Sequence, residues 1–278
     1  MFQYAAGLAT ARRLGVSYEL DLTPFEGRYS LHKYGLAHLN ITAAAAARED
    51  IKKLRNRRLK SLPKFMRPSL EKKRTHYRNL SLDFDPRVLS LPDPVYLEGY
   101  FQSERYFKSI EREVRAEFAF RTPPSPENES FVDLIANSPN ASAIHVRRGD
   151  YVSDAKTNAR HGTCSPAYYR ESMRVLLERV GRASAFVFSD DPDWAEENLD
   201  LGVPTCIVRH NPPEKGHEDL RLMTQCKHFI IANSSFSWWG AWLSISANKL
   251  VLGPERWMRD PNLNLNDVYP SEWIKVSG

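Results

Sequence analysis

From residue 127 to residue 252 the chain repeats one pattern, a helical stretch followed by a short and mainly apolar run. Helix-period segments at 127–136, 166–180, 193–199, 218–226 and 236–247 precede runs at 141–147, 183–188, 205–208, 229–232 and 249–252. Runs this short suit buried strands, and helix-sized connections between them suit strands that all point the same way. A sheet covered by helices on both faces needs strands that are apolar throughout rather than alternating. The pattern therefore predicts an α/β fold with a Rossmann-like parallel sheet. It also restricts where chemistry can occur, because ligands of such sheets lie outside the carboxyl ends of the strands.

The first 120 residues are less regular. A helix is expected over 2–14 with Gly15 as its stop, then a strand over 16–22. Residues 29–78 are helix-biased and basic, broken at Pro63 and Pro68; a strand over 95–101 and a helix over 104–115 follow. Thr122-Pro123-Pro124-Ser125-Pro126 is the clearest linker. The expected organisation is an N-terminal α/β domain at 1–122 with a basic helical insert at 48–78. A nucleotide-binding domain at 127–254 follows, and then a tail at 255–278 that packs back between them.

Charge and cysteine content exclude several function classes. The net charge is +5, yet 48–78 alone holds thirteen Lys or Arg against Glu49, Asp50 and Glu71, so the remainder is about five units acidic. Such a stretch could touch an anionic surface, although a solvated helix face is the simpler reading. No aromatic-interleaved signature accompanies it, which argues against nucleic acid as a partner. No run approaches the ~20 apolar residues of a membrane span. The residues after Met1 lack the basic start and apolar core of a secretory signal. Cys164, Cys206 and Cys226 are scattered and odd in number, which suits free thiols in a reducing compartment. The expected location is cytoplasmic, with peripheral contact to membrane-bound glycan intermediates as an option. The N-x-S/T triplets at Asn40, Asn128, Asn140 and Asn233 are read as chance matches.

Three motifs sit at predicted strand ends. The first is His145-Val146-Arg147-Arg148-Gly149-Asp150-Tyr151. A nucleotide-sugar donor loses a diphosphate, and the charge that builds on the departing oxygens must meet a metal or fixed guanidinium groups. Alternation would send Arg147 and Arg148 to opposite faces while the strand lasts, so one can meet phosphate while the other pairs with an acid. Gly149 lets the backbone turn sharply. The second is Phe188-Ser189-Asp190-Asp191-Pro192-Asp193-Trp194. Asp191-Pro192-Asp193 is formally a manganese-type Asp-x-Asp, but Asp191 also stands where an N-cap belongs with Pro192 at the first helical position, and capping is preferred. Asp190 is freer to pair with an arginine.

The third runs from His217-Glu218-Asp219 to Asn233-Ser234-Ser235-Phe236-Ser237-Trp238-Trp239-Gly240. Asn233, Ser234 and Ser235 fall between a strand and a helix, where hydroxyls and unpaired helix N–H groups form an anion site. Asp219 opens a helix and can cap it or accept from a guanine edge, the cap being the commoner role. Trp238, Trp239 and Trp242, among small neighbours, are expected in the core rather than as a sugar platform.

These segments, in this order, resemble the α-1,2-fucosyltransferases of glycosyltransferase family 11. The resemblance covers nearly the whole chain and is strongest at Met1-Phe2-Gln3-Tyr4-Ala5, His145 to Tyr151, Phe188 to Trp194, and Asp219 through Trp242. It implies a GT-B-like pair of Rossmann-like domains, GDP-β-L-fucose as donor, and inversion to an α-linkage at O2 of a galactoside, without a metal or other cofactor. On this resemblance Arg147 stabilises the leaving β-phosphate and Arg148 supports it. His145 and Asp219 lie near the guanosine, Ser234 and Ser235 contact phosphate, and Asp190 is a supporting acid. A general base is not evident; Asp150 and His145 are candidates. Members of the family usually carry a strand and a Gly-rich loop before Met-Phe-Gln-Tyr-Ala, so the N-terminal domain is expected to lack its first strand. That absence keeps open a catalytically impaired GDP-sugar-binding protein, beside a transferase for another GDP-sugar or linkage.

Overall fold

The computed structural model describes residues 1–26, 34–55, 75–79, 81–260, 263 and 265–278. The chain divides into two units, Met1–Arg121 with Asn264–Pro270, and Thr122–Leu263 with Ser271–Gly278.

The first unit opens with α1, Phe2–Leu14, whose buried face is Phe2, Tyr4, Ala5, Ala6, Leu8 and Ala11. Gly15 ends it at φ 69°, a left-handed conformation that costs glycine no Cβ clash, and its N–H closes onto carbonyls of the last turn. Tyr4 donates to the buried Glu117 carboxylate at 2.7 Å, and Thr42 donates to the same group from its backbone and hydroxyl, each at 2.7 Å. Strands β1 (Glu19–Leu20) and β2 (Ala44–Ala45) form one parallel pair. Helix α2 (Arg48–Leu54) follows, then the parallel pair β3 (His76–Arg78) and β4 (Tyr96–Glu98), and α3 (Glu111–Glu117).

Several sequence expectations change here. The strand foreseen over 16–22 keeps two paired residues. The helix foreseen over 104–115 begins as two 3-10 turns, Glu104–Tyr106 and Lys108–Ile110, before α3. Among the described residues, the basic segment 48–78 is helical at Arg48–Leu54 and ends in strand β3; 56–74 lie outside the described residues. His76 and Tyr77 are weaker helix formers than the Lys and Arg before them, and pairing with Tyr96 to Glu98 makes 76–78 a strand.

The second unit contains α4 (Pro126–Asn137), β5 (Ala141–Val146), α5 (Gly149–Ser153), α6 (Ala155–His161), α7 (Pro166–Val180), β6 (Ser184–Ser189) and α8 (Pro192–Asn198). It continues through β7 (Thr205–Val208), α9 (Gly216–Gln225), β8 (His228–Ile230), α10 (Ser235–Leu243), β9 (Val251–Pro254) and β10 (Ile274–Val276). The strands form one parallel sheet in the order β10-β9-β8-β5-β6-β7. All six residues of β5 are buried, as a strand covered on both faces requires. Ile144, Val146, Val187, Ile230 and Leu252 form the centre of the core. This Rossmann-like α/β layer is the class the apolar runs predict.

The start signal read at Asp191 holds, and the structure adds two of the same kind. Ser125, Ser165 and Asp191 each accept the backbone N–H of the third helical residue, and each is followed by a proline at the first helical position. Helices α5 and α6 and strand β10 are additions to the expected set; each is short, and short elements give little periodicity to read. Trp238 and Trp239 are fully buried and Trp242 nearly so. The Trp238 ring lies 5.0 Å from Trp239, 5.4 Å from Trp273 and 6.2 Å from Trp242, so this cluster is core.

Strand order decides where a site can lie. From β5 the chain steps outward through β6 to β7, then returns to β8 on the other side of β5. The loops after β5 and β8 therefore depart in opposite directions and leave a crevice between them. The first carries Arg147 and Arg148; the second carries Asn233, Ser234 and Ser235.

Candidate active site at the carboxyl edge of the sheet

Strand β5 ends at Val146, so neither arginine belongs to it and period-two alternation does not govern them. Register does. Val146 pairs with Ser189, which brings the next residues, Arg147 and Arg148, beside Asp190 and Asp191. Arg147 holds Asp150 at 2.5 Å through one terminal nitrogen and Asp190 at 2.8 Å through the other. The Arg148 side chain holds Asp191 at 2.9 Å, while its backbone N–H donates to Asp190 at 2.8 Å. The Arg148 guanidinium also lies 3.9 Å from the centre of the Trp194 ring, a cation–π distance. Its side chain is 19% exposed and that of Arg147 25%.

The two arginines thus have different chemistry. Arg148 is locked by a carboxylate and an indole and braces the loop. Arg147 is a fork between two carboxylates at the crevice mouth. Two guanidiniums and three carboxylates leave the cluster one unit negative, so an incoming phosphate must displace a carboxylate rather than meet a bare cation.

Gly149 is needed for space, not for its turn. Its φ is not positive, but a Cβ there would sit 2.5 Å from Asp190 Oδ2, the oxygen paired with Arg147. Gly149→Ala should therefore fold, displace Asp190 and loosen Arg147. We expect about a tenfold loss of kcat/KM, roughly 1.4 kcal/mol, with little change in Tm. Unchanged turnover would show that the Asp190 contact is dispensable.

Tyr151 joins the two walls of the crevice. The Arg147 guanidinium lies 5.4 Å from the Tyr151 ring centre, and the Tyr151 hydroxyl donates to the Asn233 carbonyl at 3.3 Å. The Asn233 side chain points elsewhere: its amide donates to the carbonyls of His161 and Gly162 at 2.9 and 3.2 Å and of Trp257 at 3.3 Å. Asn233 is therefore a structural tie rather than an anion ligand. Ser234 caps α10, its hydroxyl accepting the Phe236 N–H at 3.3 Å, while Ser235 is exposed in the first turn. The anion-binding potential here belongs to the helix N–H groups and to the Ser234 and Ser235 hydroxyls, since accepting the Phe236 N–H leaves the Ser234 O–H able to donate.

His145 is 5% exposed beneath the arginines, with its ring centre 5.4 Å from that of Phe236. Its Nδ1 has no partner among the described residues. Burial, reinforced by the Arg147 charge, pushes its pKa down to about 3. The imidazole is neutral there, and a group so weakly basic is a poor proton acceptor.

Asp219 differs from expectation. It is the fourth residue of α9, too far in to cap it, because the helix begins at Gly216 rather than 218. Its carboxylate instead accepts from Asn211 at 2.9 Å. Asn211 and Asn128 exchange side-chain bonds at 2.9 and 3.0 Å, and the His210 ring reaches Asn128 at 2.9 Å. Burial raises Asp219 to about 6, against the Asn211 hydrogen bond. It stands at the β7 end of the same carboxyl edge.

Among the described residues, no three His, Cys, Asp or Glu side chains converge as a metal set. Asp191 and Asp193, the formal Asp-x-Asp, are paired with different arginines, Arg148 at 2.9 Å and Arg209 at 2.5 Å. Sequence reasoning missed Trp194, Tyr151, Asn211 and Asn128. The parallel neighbours β5 and β6 each end in a doubled charge, and that coincidence could have revealed the Arg147–Asp190 and Arg148–Asp191 pairs.

The family model for glycosyl transferase family 11 matches residues 42–277. An alpha-1,2-colitosyltransferase of Escherichia coli is 33% identical over 99% of this chain and 94% of its own. Galactoside alpha-(1,2)-fucosyltransferase 1 of Lagothrix lagotricha is 28% identical over 62% of this chain and 50% of its own. Among solved structures, POFUT1 in complex with GDP-fucose aligns over 90% of this chain and 93% of its own at 16% identity, with a TM-score of 0.41.

Proposed function

The chain belongs to glycosyl transferase family 11, a glycosyltransferase, and from that premise we propose that it moves L-fucose from GDP-β-L-fucose to O2 of a galactose-ended glycan, with inversion. The observation that carries the reading is Arg147, a guanidinium fork held between Asp150 and Asp190 and lying against Tyr151, whose hydroxyl reaches Asn233 just before the capped start of α10. In this mechanism the β-phosphate takes donors of Arg147 from a carboxylate, and negative charge grows there as the C1–O bond breaks. Arg148, braced by Asp191 and Trp194, keeps the loop from following the departing diphosphate. The α10 N–H groups, with the Ser234 and Ser235 hydroxyls, receive the second phosphate. His145 and Asp219 face the guanosine. Asp150, once released by Arg147, is the better candidate than His145 to accept the acceptor hydroxyl's proton; otherwise that proton leaves late.

A second reading changes only the donor sugar: the near full-length similarity to a colitosyltransferase favours colitose in place of fucose. Incubation with GDP-fucose, GDP-colitose, GDP-mannose or UDP-galactose and a panel of β-galactosides, with product mass as readout, separates the readings. Turnover should survive EDTA unchanged, since the guanidinium does the work a metal would do. Transfer from none of the GDP-sugars would overturn the proposal.

Asp219 gives it a pH signature. A guanine N–H needs a carboxylate acceptor, so donor affinity should fall as pH drops from 7 to 5 through the Asp219 pKa of about 6. Asp219→Asn should bind more weakly at pH 7 and lose that dependence. Linkage works in the opposite sense for the empty fold. A pKa raised from 3.8 favours the protonated folded form, so Asp219 contributes stability below about pH 4 that is lost as pH rises through 6. A wild-type pH profile retained in Asp219→Asn would remove Asp219 from the guanosine site.

A further inference from the structure

The opposite, amino edge of the six-stranded sheet carries a second basic feature. A groove of about 890 Å³ opens there, lined by Asn140, Arg179, Lys227, His228, Ser246 and Asn248. These residues precede β5, end α7, start β8 and precede β9. Six residues of β5 separate this edge from the arginine cluster, a distance of about 20 Å.

Three observations point to a ligand. Arg179 and Lys227 are exposed and, among the described residues, neither has a carboxylate partner. Most arginines named in the rest of the structure are paired, including Arg174 one turn earlier on the same helix. The second observation is His228, a groove-lining side chain only 7% exposed. Its Nδ1 accepts the Leu250 N–H at 3.1 Å, which puts the ring proton on Nε2, and that donor has no protein acceptor among the described residues. An N–H with no protein acceptor, on a groove that also carries two unpaired cations, suits an anionic oxygen. The third is Ile245, 89% exposed and immediately before the lining residues Ser246 and Ala247. A large apolar side chain so exposed beside a basic groove matches an interface where phosphate lies next to hydrocarbon.

We propose that this edge docks on an anionic membrane surface, with a lipid headgroup phosphate in the groove between Arg179, Lys227 and the His228 Nε2–H, and Ile245 entering the acyl boundary. Charge complementarity and the neighbouring apolar side chain select a lipid phosphate over a soluble one. The site is independent of the donor crevice and of the identity of the transferred sugar.

Co-sedimentation of the full chain with phosphatidylglycerol-containing and pure phosphatidylcholine vesicles tests this. Binding should require the anionic lipid and weaken with salt. Each basic side chain near such a surface contributes roughly a factor of five, so Arg179→Gln with Lys227→Gln should weaken binding about 25-fold. Ile245→Asp should weaken it further, with melting temperature and transfer to a soluble acceptor unchanged for all three substitutions. Equal vesicle binding by the double variant and the wild type would overturn the proposal. So would a wild type that ignores anionic vesicles, or calorimetric binding of inorganic phosphate in the groove without vesicle binding.

Discussion

Arg147→Ala should lower turnover by about 100-fold or more while leaving the fold intact. A preorganised donor aimed at developing negative charge is worth roughly 2.7–4 kcal/mol in the rate-limiting step, and little of that appears in ground-state binding. Here preorganisation is visible: Asp150 at 2.5 Å and Asp190 at 2.8 Å hold the two ends of the fork. The loss should therefore fall on kcat more than on KM for the donor. Arg147→Lys should recover only part of it, because an ammonium cannot span both carboxylates in one plane. Single-turnover measurement with saturating GDP-sugar reads the chemical step directly. Turnover near that of the wild type would remove Arg147 from the mechanism.

Trp238→Ala should cost about 3–5 kcal/mol of unfolding free energy, the range for deleting a large aromatic from a packed interior. The side chain is fully buried and lies within 6.2 Å, ring centre to ring centre, of Trp239, Trp242 and Trp273. Those contacts join α10 to the residue just before β10, so the cavity would open between a helix and the sheet edge it covers. Urea unfolding measures the loss, and donor affinity of the folded fraction should be unchanged. A variant of normal stability that loses acceptor binding would instead make Trp238 a sugar platform.

Readability from sequence followed physical signal strength. The second unit was legible because buried parallel strands must be apolar throughout and because Asp191 announces its helix with a following proline, a signal that Ser125 and Ser165 also carry. The carboxyl-edge rule then located Arg147, Arg148, Asp190, Ser234 and Ser235 on one rim of the sheet. Partners were harder to read. That Arg148 is clamped by Asp191 and Trp194, and that Gly149 is small for the sake of Asp190, depends on β5 lying next to β6 in a particular register. Asp219 was misplaced on its helix because a start two residues earlier turns a cap into an interior position. In the first unit, the paired strands are two or three residues long, and a repeat of two cannot be read from so few.

The two aspartates on Arg147 also bear on how a catalytic cycle closes. In the proposed mechanism, when the diphosphate leaves, the guanidinium need not wait for water, because Asp150 and Asp190 can reclaim it at once. Internal rivals of this kind reduce the affinity of the spent nucleotide and of stray phosphate alike. An enzyme that works in the proposed way trades tight capture for quick discharge.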